Sequence, residues 1–555
     1  MYSTTYYTVT LYISGTVDLC IMLSFLLSIM CITAMAYNSF ISRTLGSGMV
    51  LQRDVPSMMY GHTYNPSSGI SIQFNDQSYY TTSAARTSED GGYYWEATLP
   101  SMKGSKERYV IYIKSSNGEM VVLDNVVFGD VFLCADQDGM VLPTSNSLNT
   151  TGEWKDDDDF SFIRIFDVGQ DSSMPQSIEP LDDLYSVHIS WIEGPSRDSY
   201  GSMGLQSFSS LCWRFATHIY TTSLHSLVPV GVISSRWGGT GIEDWAPLSV
   251  SEGCRSLSDE QSQRSILPPP PPPPVNVVAA VVPANQQSTL FQRTRYGVLY
   301  NNMIAPLHRL ELKAAVWYQG ASNVHNKEQY PCLQDRMVRA WRALFGEQLP
   351  FMYVQLPSWN NGGTDELASM RLYQLSALSL IDNAAMITAS DLPADDHLTE
   401  EVSRRLYLAA TTTVYQTHMP YLGPILDRTQ LFRDPYFGWS ARFFFTEESC
   451  GSSLSLRAPQ HCPRHDTEVC GHVFLLYRNE QETAGASSPL RTVLSSVRLA
   501  GPTSIEVIPT KDLGADAVPV KLSYCQGDYP LLTIYNSFGV PLMPLVLDIE
   551  STGQQ

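Results

Sequence analysis

A carboxylate close to an imidazole can hold it as a general base, and this chain places Asp395 two residues before His397, with Asp391 and Asp396 nearby. Three other stretches are polar and carry glycine: Asp136-Gln137-Asp138-Gly139-Met140, Trp237-Gly238-Gly239-Thr240 running on to Ile242, Glu243 and Trp245, and Gln319-Gly320-Ala321-Ser322-Asn323. Glycines let a backbone approach a ligand closely, and free amides with Gln or Asn side chains can hold a developing oxyanion. A base, an orienting acid and clustered donors are the parts of an acyl-transfer site. Gln137, Gly238, Gly239, Gln319, Gly320 and Asn323 are the candidate donors, and His397 with Asp395 the candidate base and acid.

Each stretch follows an apolar run of strand character, and these runs must position it. The runs are Asp130–Cys134, 229–234, 313–318, 350–355 and 385–389, the fourth leading into no polar loop of this kind. Helical patterns intervene over 208–224 and 332–345. Strand and helix in alternation predict a parallel sheet covered on both faces, and such sheets carry sites at the carboxyl ends of their strands. Before and after this region the sequence breaks into short β-type runs separated by Gly and Pro. The expected organisation is a leader over 1–36, an N-terminal β-domain over 37–127, an α/β core over 128–425 and a C-terminal β-domain over 426–555. Residues 251–289 interrupt the core with seven consecutive prolines from Pro268 to Pro274, which read as a surface insertion of polyproline character.

Composition narrows the function. A length of 555 residues with 43% hydrophobic and 16% charged residues describes a folded multidomain chain. A formal charge of -20 repels phosphate backbones and argues against nucleic acid as a partner. The apolar stretch 19–36 ends in Ala34-Met35-Ala36, a signal-cleavage pattern, yet no basic residue precedes Arg43. It reads as a secretory signal, with a retained anchor as the competitor, and membrane association follows only from the second. Eight cysteines lie beyond it, a number that permits disulfides in the secretory route. Asn149-Thr150-Thr151 is a glycosylation sequon. His461, Cys462, His465, Cys470 and His472 have spacings that zinc could use, but a disulfide arrangement of Cys450, Cys462 and Cys470 is the preferred expectation. Lys155 with Asp156 to Asp159 reads as a solvated loop, with calcium the minor option.

The motifs together resemble one known family. Trp237-Gly238-Gly239-Thr240 with Ile242, Glu243 and Trp245 is similar to the W-G-G-T-x-I-E-x-W block of sialate O-acetylesterases. Residues 315–323 are similar to their V-W-Y-Q-G-E-S-N segment. Gly129-Asp130-Val131-Phe132-Leu133-Cys134 is similar to the strand that in the family runs into S-G-Q-S-N-M. The resemblance reaches from Gly48-Met49-Val50-Leu51-Gln52 to the closing 532–541 segment and spares only the leader and the proline insertion. It implies a flavodoxin-like, SGNH-hydrolase-like three-layer core flanked by β-domains, no cofactor, and an O-acetylated sialic acid or related glycan as partner. It also implies a secreted or lysosomal destination. In the family a serine of the G-Q-S-N-M turn attacks the acetyl carbonyl, a histidine activates it, and an acid orients the histidine.

This chain departs from the pattern at the reacting positions. Asp138 stands at the serine, Gly139 at the following Asn, Ala321 at the family Glu and Leu398 at the Pro after the histidine. Ser145 and Ser147 come too late for the same turn, and Cys134 reads as a core residue or half-cystine. The expectation is a catalytically impaired, glycan-binding member. An esterase with an unusual nucleophile and a non-catalytic structural protein are the alternatives.

Overall fold

The runs 131–134, 230–233, 314–318, 351–354 and 384–387 are almost wholly apolar, so as strands they must be covered on both faces. A computed structural model of the chain describes residues 40–82, 92–136, 159–195, 203–254, 296–359, 366–392, 396–417, 419–457, 473–479, 490–514, 517–527, 530 and 532–549. Among these, two compact units fall within Met1–Ser42, Met59–Ala97 and Tyr112–Val121 for the smaller and Arg43–Met58, Thr98–Ile111 and Val122–Gln555 for the larger. In the smaller unit, Gly69–Phe74 and Gln77–Thr82 form a hairpin turned by Asn75 and Asp76, both at positive φ, as a two-residue turn requires.

The larger unit holds the parallel sheet. Its strands are β1 (Met120–Asp136), β2 (Ile163–Val168), β3 (Val187–Glu193), β4 (Val230–Arg236), β5 (Ala314–Tyr318), β6 (Phe351–Gln355) and β7 (Ala384–Thr388). They lie in the order β7-β6-β5-β1-β4-β2-β3, all parallel except β3 at the edge. Counted along the chain without β2 and β3, the order is 2-1-3-4-5, the flavodoxin-like winding. The two added strands extend the sheet beyond β4.

Helices cover both faces. The principal ones are α1 (Ser210–His218), α2 (Tyr330–Phe345), α3 (Glu366–Leu378) and α4 (Asp396–Thr413). Phe132 and Cys134 of β1 point to the face opposite Ala135, because side chains alternate along a strand. Phe132 meets Phe215 of α1 edge-on at 5.2 Å, and Cys134 is bonded to Cys212 of the same helix. Trp317 lies opposite Ala135 in register and meets Trp341 of α2 at 5.7 Å. So α1, with α4 packed on it, covers one face, and α2 with α3 covers the other. The buried positions of α2, from Tyr330 through Leu333, Met337 and Trp341 to Phe345, keep the helical period. A second disulfide, Cys254–Cys332, ties the start of α2 to the chain just before the insertion.

Strands β2 and β3 are not among the sequence candidates because charged residues break their apolar runs. Arg164 of β2 is buried and donates to the Gly48 and Ser161 carbonyls at 2.8 Å each. The helix expected over 208–224 is α only to His218 and continues as a π turn over Ile219–Ser223.

From Leu426 onward the chain builds a second, antiparallel sheet of seven strands: β8 (Leu426–Asp434), β9 (Gly438–Phe445), β10 (Val473–Asn479), β11 (Arg491–Gly501), β12 (Ser504–Pro509), β13 (Ala517–Tyr524) and β14 (Leu545–Asp548). Their order is β8-β9-β12-β11-β10-β13-β14. Cys450 corrects an expectation here. It is a buried free thiol in the core beneath this sheet, packed as a small apolar residue rather than joined in a disulfide. Burial raises its thiol pKa. Cys462 and Cys470, the zinc candidates, the leader, the sequon and the proline run lie outside the described residues. Among those described, no helix is long and apolar enough to cross a membrane.

Arg405 joins β7 to α4. Its side chain is 1% exposed and donates to the Thr388 carbonyl at 2.7 Å, to both oxygens of Asp391 at 2.6 and 2.8 Å, and to Glu401 at 2.8 Å. Burial works against its charge, and Asp391 and Glu401 overcome that penalty, so its pKa is raised. Arg405→Met leaves Asp391 buried without its partner and should destabilise the core by about 3–5 kcal/mol in urea unfolding. Adding Asp391→Leu should recover part of the loss.

Candidate functional site

Register sets the site. Asp136, the last residue of β1, lies opposite both Arg236, which ends β4, and Tyr318, which ends β5. The loops after these three strands therefore leave the sheet at one level, on its carboxyl edge. Gln355 and Thr388 pair at the ends of β6 and β7 on the same edge.

Two of the candidate loops are bound to each other. Gln319 donates through Nε2 to the Thr240 carbonyl at 3.1 Å and to Asn323 Oδ1 at 2.7 Å, and its Oε1 accepts from Tyr330 at 3.0 Å. Asn323 Oδ1 also accepts from the Ile242 amide at 2.9 Å. Its Nδ2 donates to Glu243 at 2.9 Å and to Asn326 at 3.1 Å. Both residues are 2% exposed. With two donors and two accepted bonds in place, Asn323 has no capacity left for a ligand. The geometry makes Gln319 and Asn323 residues that position the edge.

Trp245 takes part in the same bracing. Its indole donates to Thr240 Oγ1 at 2.8 Å, and its carbonyl accepts from Trp341 of α2 at 3.0 Å. Gly320 sits at φ +139°, where a Cβ would meet the Gln374 amide at 2.9 Å. Gln374 itself donates to the Gln319 carbonyl at 3.1 Å, so the loop lies flat against α3. Gly238 and Gly239 are exposed at the crest of the β4 loop, and Gly239, at φ +71°, has open space above it. Ala321 is half-buried where the turn Ala321–Gln329 begins.

Gln137, Asp138 and Asp395 lie outside the described residues. His397 is placed as the second residue of α4, four before Glu401, and its side chain is outside the described set. Asp391 is taken by Arg405 and accepts from Tyr535 at 3.2 Å, so both its oxygens are engaged. Of the acidic run after Lys155, only Asp159 is described, and its carboxylate accepts from the Ser161 amide at 3.0 Å.

The sequence reading missed an Asp–His pair at the far edge of the sheet. His188 Nδ1 lies 2.8 Å from Asp167, which also accepts from Arg236 at 3.1 Å. Asp167 and Arg236 belong to neighbouring strands, while His188 lies across the antiparallel pair, so no local spacing announces the group. Among the described residues no hydroxyl or thiol is bonded to His188.

The Asp167 hydrogen bond raises the His188 pKa above its ordinary value. A raised folded value stabilises below the unfolded pKa, about 6.5, and the benefit disappears as pH rises through the folded value. An NMR titration should place His188 above that reference. His188→Ala should remove this part of the pH dependence. Asn323→Ala strips a buried acid and a buried amide of partners and should cost about 2–3 kcal/mol in chemical unfolding.

Comparison with known proteins agrees with this architecture. Residues 269–412 match the family model described as carbohydrate esterase, sialic acid-specific acetylesterase. The sialate O-acetylesterase of Mus musculus is 30% identical over 341 residues, covering 55% of this chain and 60% of that protein. The same enzyme of Rattus norvegicus is 30% identical over 381 residues, covering 61% of this chain and 66% of that protein. The chain therefore spans somewhat under two thirds of these relatives' length. A carbohydrate acetylesterase from Xanthomonas citri superposes with a TM-score of 0.67 over 92% of this chain and 99% of its own, at 22% identity, and shares the fold.

Proposed function

The chain belongs to the sialate O-acetylesterase family, and from that premise we propose that it binds an O-acetylated sialic acid or related glycan and hydrolyses it slowly or not at all. The observation that carries this reading is Asp138, two residues past the end of β1, at the position of the family's nucleophilic serine.

In the family reaction a serine oxygen bonds to the acetyl carbon, its proton passes to the histidine, and the carbonyl oxygen becomes an oxyanion held by nearby donors. Water then releases acetate from the acyl-enzyme. A carboxylate at that position changes two terms. Its attack on the ester would give a mixed anhydride, higher in energy than the ester it came from. Its fixed negative charge would also stand beside the forming oxyanion, where a low local dielectric strengthens repulsion. Loss of a triad nucleophile costs on the order of a millionfold in turnover.

The frame around that position supports retained binding. Gly238 and Gly239 are exposed at the crest of one loop, and Gln319, Gly320 and Asn323 keep the adjoining loop in place. The two disulfides accord with a protein that matures in the secretory route, as the leader suggests.

Assay on 4-nitrophenyl acetate and on 9-O-acetylated sialic acid tests the reading. The wild-type chain should not exceed background. The triple change Asp138→Ser, Gly139→Asn and Ala321→Glu should restore turnover, and adding His397→Ala should abolish it again. Wild-type turnover that disappears in His397→Ala would overturn the reading.

A further inference from the structure

A cavity of about 390 Å³ opens where α4 meets residues 530–539, a size within the roughly 300–1,000 Å³ of small-ligand sites. Its charged lining is Asp391, Glu401, Arg404, Arg405 and Arg457. Asp391 takes two bonds from Arg405, and Glu401 takes Arg404 at 2.7 Å through both oxygens. Burial alone would raise the Glu401 pKa, and the two arginines bring it below the usual carboxylate range. Two acids are thus matched by two guanidinium groups, and Arg457 is left over.

Arg457 is held without being neutralised. Its guanidinium stacks 4.0 Å over the Tyr535 ring, its backbone amide donates to the Thr533 carbonyl at 2.8 Å, and among the described residues its guanidinium finds no acid or carbonyl. A Cβ at Gly539 would come 3.2 Å from an Arg457 nitrogen and 3.8 Å from one of Arg404, so both cations flank that bare backbone. Phe538 adds an aromatic wall. A guanidinium stacked on a ring keeps its planar fork free for a carboxylate, the partner it fits with two parallel bonds. On a chain of formal charge -20, one cation in a concave site with no acid on it among the described residues is a selective feature.

We propose that this cavity is the subsite for the carboxylate of an acidic sugar of the sialic acid class, with Arg457 as its pairing cation. The inference rests on the glycan-binding reading above and deepens it. His397 lies one helical turn before Glu401 on α4, and Asp391 ends its bonded segment six residues before His397. A sugar anchored at Arg457 therefore lies along the first turns of the helix that carries the candidate base. The subsite would distinguish an acidic sugar from a neutral acetylated one.

Titration of the full chain with N-acetylneuraminic acid, its methyl ester and acetate tests this. Wild type should bind the acid about tenfold or more tighter than the ester, the range of a charged hydrogen-bonded contact, and tighter than acetate. Arg457→Ala should erase the preference and leave ester binding unchanged, while Arg457→Lys should retain part of it. Arg457 is exposed, so an unchanged melting temperature should accompany both substitutions. Equal affinity for acid and ester, acetate binding as tightly as the acid, no binding of the acid, or a preference that survives Arg457→Ala would each overturn the proposal. Turnover by the wild-type chain would overturn the impaired-enzyme reading and leave this test standing, with the preference then read in KM.

Discussion

Parallel pairing at the end of β1 is the constraint on which the rest depends. Because Asp136 faces Arg236 on one side and Tyr318 on the other, three loops must emerge together. These strands are buried on both faces, so a slip of one residue would exchange what each face presents to its helices. Phe132 and Cys134 would then leave α1, and Trp317 would leave Trp341. The Cys134–Cys212 bond fixes the same alignment covalently, two residues before the strand ends.

Above the strands, order comes from polar side chains that satisfy each other. Glu243, Gln319 and Asn323 are all buried, and each would be costly alone. Together they close a network across two loops, and α3 repeats the device. Gln374 accepts from the Leu356 amide at 3.0 Å and reaches the Gln319 carbonyl, while Arg371 donates to the Leu356, Pro357 and Gly527 carbonyls. The edge is therefore shaped by the protein's own bonds.

Much of this was legible in the sequence wherever one residue type had one physical reason to be there. The five core strands stood out because a strand buried on both faces tolerates few polar residues. Their alternation with helices indicated a parallel sheet, while the flavodoxin-like order was implied only by the family resemblance. Strand β2 was hidden because Arg164 and Asp167 break its apolar pattern, and their burial depends on partners distant in sequence such as Gly48 and His188. Gln319 and Asn323 were found by type, but their bonds to Thr240 and Glu243 were not, since nothing in a sequence says which loops share an edge. Arg457 gave no signal at all, because its meaning comes from Tyr535 and Gly539 across a long stretch of chain.

The walls of the Arg457 cavity come from segments made at different times. The Asp391–Arg405 stretch leaves the ribosome about 125 residues before Pro530, an interval on the order of ten seconds at ordinary synthesis rates. During it that flank of α4 has no wall from Pro530, Leu532, Tyr535, Phe538 or Gly539. The flank is suited to the wait, since Glu401 and Arg404 already form a pair there and a charged face resists association with other nascent chains. The parallel sheet can thus be complete while the cavity is still an open slope. Closure of the last wall would mark the end of maturation rather than its beginning.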